Sequence, residues 1–259
     1  MAGLKALIRR SATFLVNDSK HGGRRKKDIR YLESLDDDAR KTVLATKEFT
    51  LLNSEKLYSL IQSVRYIHRC SIPGDIVECG VWRGGAIMAA ALTLKQLNAS
   101  RRKFYLYDTF TGMTRPTVRD GSLPGTRAVD VAARFQESQD REDSSAWCHA
   151  NLADVRNNLR QVPCDQDDFV FVKGKVEETL KSTRPESIAV LRLDTDWFES
   201  TRCEMKYLMP LLVPRGVLII DDYYRWKGNR DAVDEYIARH NIPILLTRVG
   251  NSAVGVLPC

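Results

Sequence analysis

Between residues 75 and 240, short apolar runs alternate with segments of helical periodicity, and this rhythm restricts the fold more than any other feature of the chain. Residues 75–81, 103–107, 169–172, 188–193 and 216–220 read as strands, and residues 86–97, 150–159, 176–180, 200–212 and 230–240 as helices. Strands joined through helices form a parallel sheet that is covered on both faces. Past His240 the rhythm changes, because the strand-like runs 243–249 and 252–257 are separated only by Gly250-Asn251. So short a link makes them an antiparallel hairpin. The expected architecture is α/β: a doubly wound, mostly parallel, seven-stranded sheet with an antiparallel C-terminal hairpin.

Upstream, Leu57, Leu60, Ile61, Val64, Ile67 and His68 recur at helical spacing, with Asn53 or Ser54 available as cap and Pro73-Gly74 as stop. Residues 111–146 are long and polar, and read as an insertion within one main domain spanning 31–259. The first 30 residues are a separate basic extension. They hold nine Lys or Arg against Asp18 and Asp28, which accounts for the whole formal net charge of +7 and leaves the remaining 229 residues neutral. A neutral body argues against nucleic acid as a partner. Within the extension Leu4, Leu7, Ile8, Phe14 and Leu15 fall near one helical face. That suits a membrane-surface, docking or targeting helix, and equally an unstructured tail or a helix packed on a neighbouring subunit in a homo-oligomer.

No apolar run approaches the roughly 18 residues needed to cross a bilayer, so no transmembrane segment is expected. The six cysteines are scattered without a C-x-x-C pair. A zinc knuckle or disulfide framework is therefore not expected, which fits a reducing, cytoplasmic location.

In open parallel sheets ligands lie beyond the carboxyl ends of the strands. There the chain places Glu78-Cys79-Gly80-Val81-Trp82-Arg83-Gly84-Gly85, Asp108-Thr109, Lys173-Gly174, Asp194-Thr195-Asp196 and Asp221-Asp222. The glycines allow close backbone approach to a ligand at a helix N-terminus, but the string is not the G-x-G-x-x-G dinucleotide pattern. Glu78 suits the ammonium or sulfonium of S-adenosylmethionine and would repel a pyrophosphate. Asp108 can accept hydrogen bonds from ribose hydroxyls, and Gly174 offers an edge for adenine. Gly80, Arg83, Gly84, Gly85, Thr109 and Asp194 complete the candidate cofactor contacts. Neighbouring strands would bring Asp194, Asp221 and Asp222 together, and clustered carboxylates repel unless a hard cation such as Mg²⁺ neutralises them. The plainer readings are a tight turn for the glycines, a solvated turn for Asp108 and helix caps for the single aspartates. Trp147, His149, Trp197 and His240 are of types that usually pack or cap, and His149 alone among them is a candidate for the site.

With these strings assembled, residues 50–257 resemble the macrocin O-methyltransferase family, which also contains sugar O-methyltransferases of mycinamicin and novobiocin biosynthesis. The resemblance rests on residues 74–85, Tyr107-Asp108-Thr109-Phe110-Thr111-Gly112-Met113, Leu191-Arg192-Leu193-Asp194-Thr195-Asp196 and Ile220-Asp221-Asp222-Tyr223. It implies the Rossmann-like class I methyltransferase fold, with S-adenosylmethionine, Mg²⁺ and a hydroxyl acceptor on a glycosylated natural product. It makes Asp194, Asp221 and Asp222 metal ligands and Asp196 the general base, puts Glu78, Gly80 and Asp108 against the cofactor, and lays residues 50–54 over it as part of an N-terminal helical lid. The chain departs from the family in the loop 111–146, which carries Arg115, Arg119 and Arg127 and is expected to help form the acceptor pocket. A catechol or phenol methyltransferase would use the same carboxylates. A non-catalytic ligand-binding protein on this fold is the alternative from another class.

Overall fold

A computed structural model of the chain describes residue 28 and residues 30–259. The amphipathic segment and basic linker expected in the extension therefore lie outside the described residues, apart from Asp28 and Arg30. The strands are β1 (Asp75–Cys79), β2 (Phe104–Asp108), β3 (Gln139–Arg141), β4 (Ser144–Ser145), β5 (Phe169–Lys173), β6 (Ile188–Leu193), β7 (Leu212–Ile220), β8 (Thr247–Val249) and β9 (Ser252–Val256). The α-helices are α1 (Asp37–Thr46), α2 (Ser54–Arg69), α3 (Gly85–Gln96), α4 (Val131–Ser138), α5 (Leu152–Leu159), α6 (Val176–Thr179), α7 (Phe198–Leu208) and α8 (Lys227–His240).

Seven strands form one sheet in the order β5-β2-β1-β6-β7-β9-β8, in which β5 to β7 run parallel and β9 runs antiparallel to both of its neighbours, β7 and β8. The expected sheet and hairpin are both present. Alternation along the strands divides the core. Ile76 and Ile219 face a layer that includes α1, α2, α3 and α5, whereas Val77 and Leu218 face α6, α7 and α8. Strand order reverses between β1 and β6, so the topological switch point lies at their carboxyl ends.

The structure differs from the sequence expectation at four places. The helix expected over 200–212 ends at Leu208, because Pro210 lies in the 3₁₀ turn Met209–Leu211, and β7 already begins at Leu212. The first hairpin arm is short, starting at Thr247 rather than at 243. The segment 111–146 is not all loop: α4, capped by the Asp130 side chain and anchored by buried Val131 and Phe135, leads into the ribbon β3–β4. Helix α1 has no counterpart in the sequence reading. Asp36 caps it and also receives the Arg65 guanidinium of α2 at 2.6 and 2.7 Å, which ties the two helices together. Among the described residues no helix is long and apolar enough to cross a membrane.

Helix α2 begins where the Asn53 side chain accepts from the Lys56 amide at 2.9 Å. Its Leu57, Ile61, Val64 and Ile67 are fully buried. Asn53→Ala removes the cap, and is expected to cost about 1 kcal/mol and lower the melting temperature by roughly 2–4 °C in a thermal scan.

Candidate active site

The carboxyl ends of the parallel strands open onto a cavity of about 1290 Å³. A single small-molecule site is typically about 300–1,000 Å³, so two ligands can lie here side by side.

An ion network spans the cavity. Arg192 projects from β6, a strand buried along its whole length. Its Nη1 donates to Glu78 Oε1 on β1. Its Nη2 donates to Asp194 Oδ2 at 2.9 Å and to Asp221 Oδ2 at 2.7 Å, just past β6 and β7. Lys56, in the first turn of α2, donates to Asp221 Oδ1 and, at 2.8 Å, to Asp222 Oδ1. The hairpin contributes as well: the Ser252 hydroxyl donates to Asp221 Oδ1, and Asn251 Nδ2 to Asp222 Oδ1 at 2.8 Å.

Burial alone would lift every one of these carboxyl pKa values, and the local charges decide which stay ionised. For Asp221, Lys56 and Arg192 outweigh burial and hold it below the usual carboxylate range. Burial would lower the Lys56 ammonium, but Asp221 and Asp222 raise it above its ordinary value. Burial outweighs Arg192 at Glu78, which is pushed up to about 7, and at Asp194, which rises well above the usual range. Asp222 is raised by burial and by Asp221. Asp196, at φ 68°, is raised well above the usual range by burial and by Asp222 and Asp221. One oxygen of Asp196 and one of Glu78 are buried without a hydrogen-bond partner among the described residues.

The structure thus brings Glu78, Asp194, Asp196, Asp221 and Asp222 to one cavity, with Gly80, Arg83, Asp108, Thr109 and Gly174 in its wall. Several expected roles change. Lys56 and Arg192 neutralise part of the acidic cluster. Among the described residues no three Asp, Glu, His or Cys side chains stand ready to hold an ion. Asp108 accepts the Val81 and Trp82 amides on Oδ2 and the Phe110 amide on Oδ1, so it shapes the loops as well as facing the cavity. Gly80 is glycine because a Cβ there would lie 2.2 Å from the Asp194 carbonyl oxygen. At Gly85 a Cβ would lie 2.5 Å from the Phe49 carbonyl oxygen. These two glycines let chain approach chain, and neither Gly84, the α3 cap, nor Gly85 lines the cavity. Arg83 donates to the Glu48 carbonyl at 2.8 Å, pinning the segment before α2 beside the site.

Trp147 and Trp197 pack with Trp226 in a triangle of edge-on rings, their centroids 5.6–6.4 Å apart. His149 is exposed and outside the cavity wall, and His240 stacks on Tyr236. Lys56 and Arg192 are the residues that sequence reasoning missed. A cation inside an all-buried strand was the available signal for Arg192. For Lys56 it was the four-residue spacing to Leu60 and Val64, which puts it on the inward face of its helix.

A parallel sheet with an antiparallel terminal hairpin and a switch-point cavity ringed by acidic strand ends is the class I methyltransferase fold. The Macrocin-O-methyltransferase (TylF) family profile matches residues 14–256, and the chain belongs to that family. It is an O-methyltransferase. It is 32% identical over 205 residues to a Streptomyces olivaceus 8-demethyl-8-(2,3-dimethoxy-alpha-L-rhamnosyl)-tetracenomycin-C 4'-O-methyltransferase, covering 79% of this chain and 74% of the relative. Mycinamicin III 3''-O-methyltransferase of Micromonospora griseorubida is 28% identical over 251 residues, 97% of this chain and 94% of the relative. The solved structure of the O-methyltransferase NovP superposes with a TM-score of 0.69 at 27% identity, covering 82% of this chain and 83% of that one.

Behind the site lies Glu204 of α7, fully buried, with neither oxygen in a hydrogen bond among the described residues. The Thr195 hydroxyl and Cys79 thiol are beside it and Glu177 is its charged neighbour; burial pushes it up to about 8. The unfolded chain gives up this proton near 4.5 while the folded chain keeps it to about 8, so this residue lowers stability as pH rises through that window. Glu204→Gln removes the effect. Relative to wild type, the variant should gain stability, on the order of a few kcal/mol, between pH 5 and 8 in denaturant titrations. Parallel pH curves for the two proteins would mean that Glu204 is already ionised in the fold.

Proposed function

We propose that the chain transfers a methyl group from S-adenosylmethionine to a sugar hydroxyl of a glycosylated natural product, with Mg²⁺ held by Asp194, Asp221 and Asp222. The observation that carries this reading is the surplus of buried carboxylate at the cavity. Glu78, Asp194, Asp196, Asp221 and Asp222 face two buried cations, Lys56 and Arg192, and the partly exposed Arg225. Hard oxygen donors in excess, with a buried Asp196 oxygen left without a partner, fit a hard divalent cation.

When bound, S-adenosylmethionine supplies the electrophilic methyl and Mg²⁺ acidifies the acceptor hydroxyl. The chain's own residues do the rest. The free Oε2 of Glu78 is available to the cofactor's ammonium, while Arg192 holds the other oxygen in place. Asp108 fixes the Val81-Trp82 turn beside the same ligand. Asp196 is the base. One of its oxygens is buried at the cavity without a hydrogen-bond partner among the described residues, and is available to the acceptor's proton. The sugar acceptor is supported by the activities named for the relatives, and the size of the cavity accommodates it beside the cofactor.

The test uses labelled S-adenosylmethionine and a panel of glycosylated acceptors. Asp222→Ala should lower turnover about a hundredfold or more while S-adenosylhomocysteine binding stays within a few-fold of wild type. A chelator should do the same to the wild type, reversibly with added Mg²⁺. Undiminished turnover in either case removes the metal from the mechanism.

A further inference from the structure

We infer that Lys56 is a resident cation in the carboxylate cluster that a divalent metal must displace, so that metal loading is linked to the start of α2 and the segment before it. The inference rests on the metal reading above. Its evidence is where the ammonium sits. Lys56 Nζ bonds Asp221 Oδ1 and lies 2.8 Å from Asp222 Oδ1, two of the three carboxylates in the proposed ligand set. Its side chain is 11% exposed, so the charge is largely removed from water and is not a solvated surface pair.

One oxygen of Asp221 is crowded and the other carries a single bond. Oδ1 accepts from Lys56, from the Ser252 hydroxyl and from the Asp222 amide, and Oδ2 accepts from Arg192. A metal ligand must offer a lone pair, and a metal oxygen bond of about 2.0–2.1 Å would bring Mg²⁺ against an ammonium held on the same oxygen. Two cations that close repel strongly in a site shielded from water. One of them has to leave. Arg192 is locked between three strands by Glu78, Asp194 and Asp221. Among the described residues Lys56 is held only by the two carboxylates in question, and it has a flexible four-carbon stem.

A purely structural ion pair makes the opposite prediction. If Lys56 served mainly to aim the carboxylates, its loss would weaken metal binding. The aim is already provided without it: Asn251 holds Asp222, Ser252 and Arg192 hold the Asp221 carboxylate, and Asn229 Nδ2 holds the Asp221 carbonyl at 2.6 Å. Removing the ammonium therefore takes away competition and leaves the ligands positioned. The linkage to the chain follows from position. Lys56 sits one turn after Thr50–Asn53, and the preceding residues are pinned by Arg83 on the Glu48 carbonyl and by Lys47 Nζ on the Leu52 carbonyl at 3.2 Å.

Mn²⁺ is a suitable probe, because free and bound ion are distinguished by electron paramagnetic resonance. Full-length wild type and Lys56→Met, which keeps an apolar stem and removes the charge, are titrated with Mn²⁺. Lys56→Met is expected to bind Mn²⁺ at least about tenfold more tightly. Equal or weaker binding by Lys56→Met overturns the inference and leaves the metal site standing. No binding by either protein overturns both. Should Lys56→Met fail to fold, amine-selective reductive methylation of the wild type decides the matter. Mn²⁺ is expected to increase labelling of Lys56, and unchanged labelling at saturating Mn²⁺ overturns the displacement.

Discussion

The guanidinium of Arg192 is the interaction on which the site depends. It is buried, and it joins Glu78 on β1, Asp194 after β6 and Asp221 after β7, across the switch point of the sheet. Three carboxylates at the ends of adjacent strands would otherwise be desolvated without compensation. Breaking such a buried pair typically costs about 3–5 kcal/mol, because it leaves the partners' charges uncompensated. Arg192 therefore lets the fold keep acidic groups packed at the one place where a parallel sheet gathers ligands.

Lys56 extends the same electrostatics to a different layer. It arrives from α2 rather than from the sheet, so neutralising Asp221 and Asp222 also docks the helix over the strand ends. The close approaches at Gly80 and Gly85 serve that packing. One admits the Asp194 carbonyl and the other the Phe49 carbonyl, so the acidic loop and the segment before α2 can both come in against β1 and α3. Asp196 and Glu78 each keep one oxygen free within this web, and those oxygens are the groups left for ligands.

Much of this was legible in the sequence. The strand and helix alternation, the two-residue hairpin link and the acidic residues at the ends of β1, β2, β6 and β7 are local patterns, and each holds in the structure. What could not be read is long-range. Lys56 meets Asp221 across 165 positions and Arg192 meets Glu78 across 114, and neither pairing leaves a periodic trace. Hence the sequence displays the aspartates but not the cations, Lys56 and Arg192, that pair with them. Helix α1 escaped notice because its charged surface masks a buried face of Ala39, Val43 and Ala45. The segment 111–146 was too polar to betray α4, which only Val131 and Phe135 anchor.

The chain belongs to the Macrocin-O-methyltransferase (TylF) family, and its acidic cavity of about 1290 Å³ is large enough for two ligands. The most direct test is anomalous diffraction at the manganese edge from crystals grown with Mn²⁺ and S-adenosylhomocysteine. A peak among Asp194, Asp221 and Asp222, with Lys56 Nζ withdrawn from Asp221 and Asp222, is the expected result. No peak there, with Lys56 still bridging the two aspartates at saturating Mn²⁺, would contradict it.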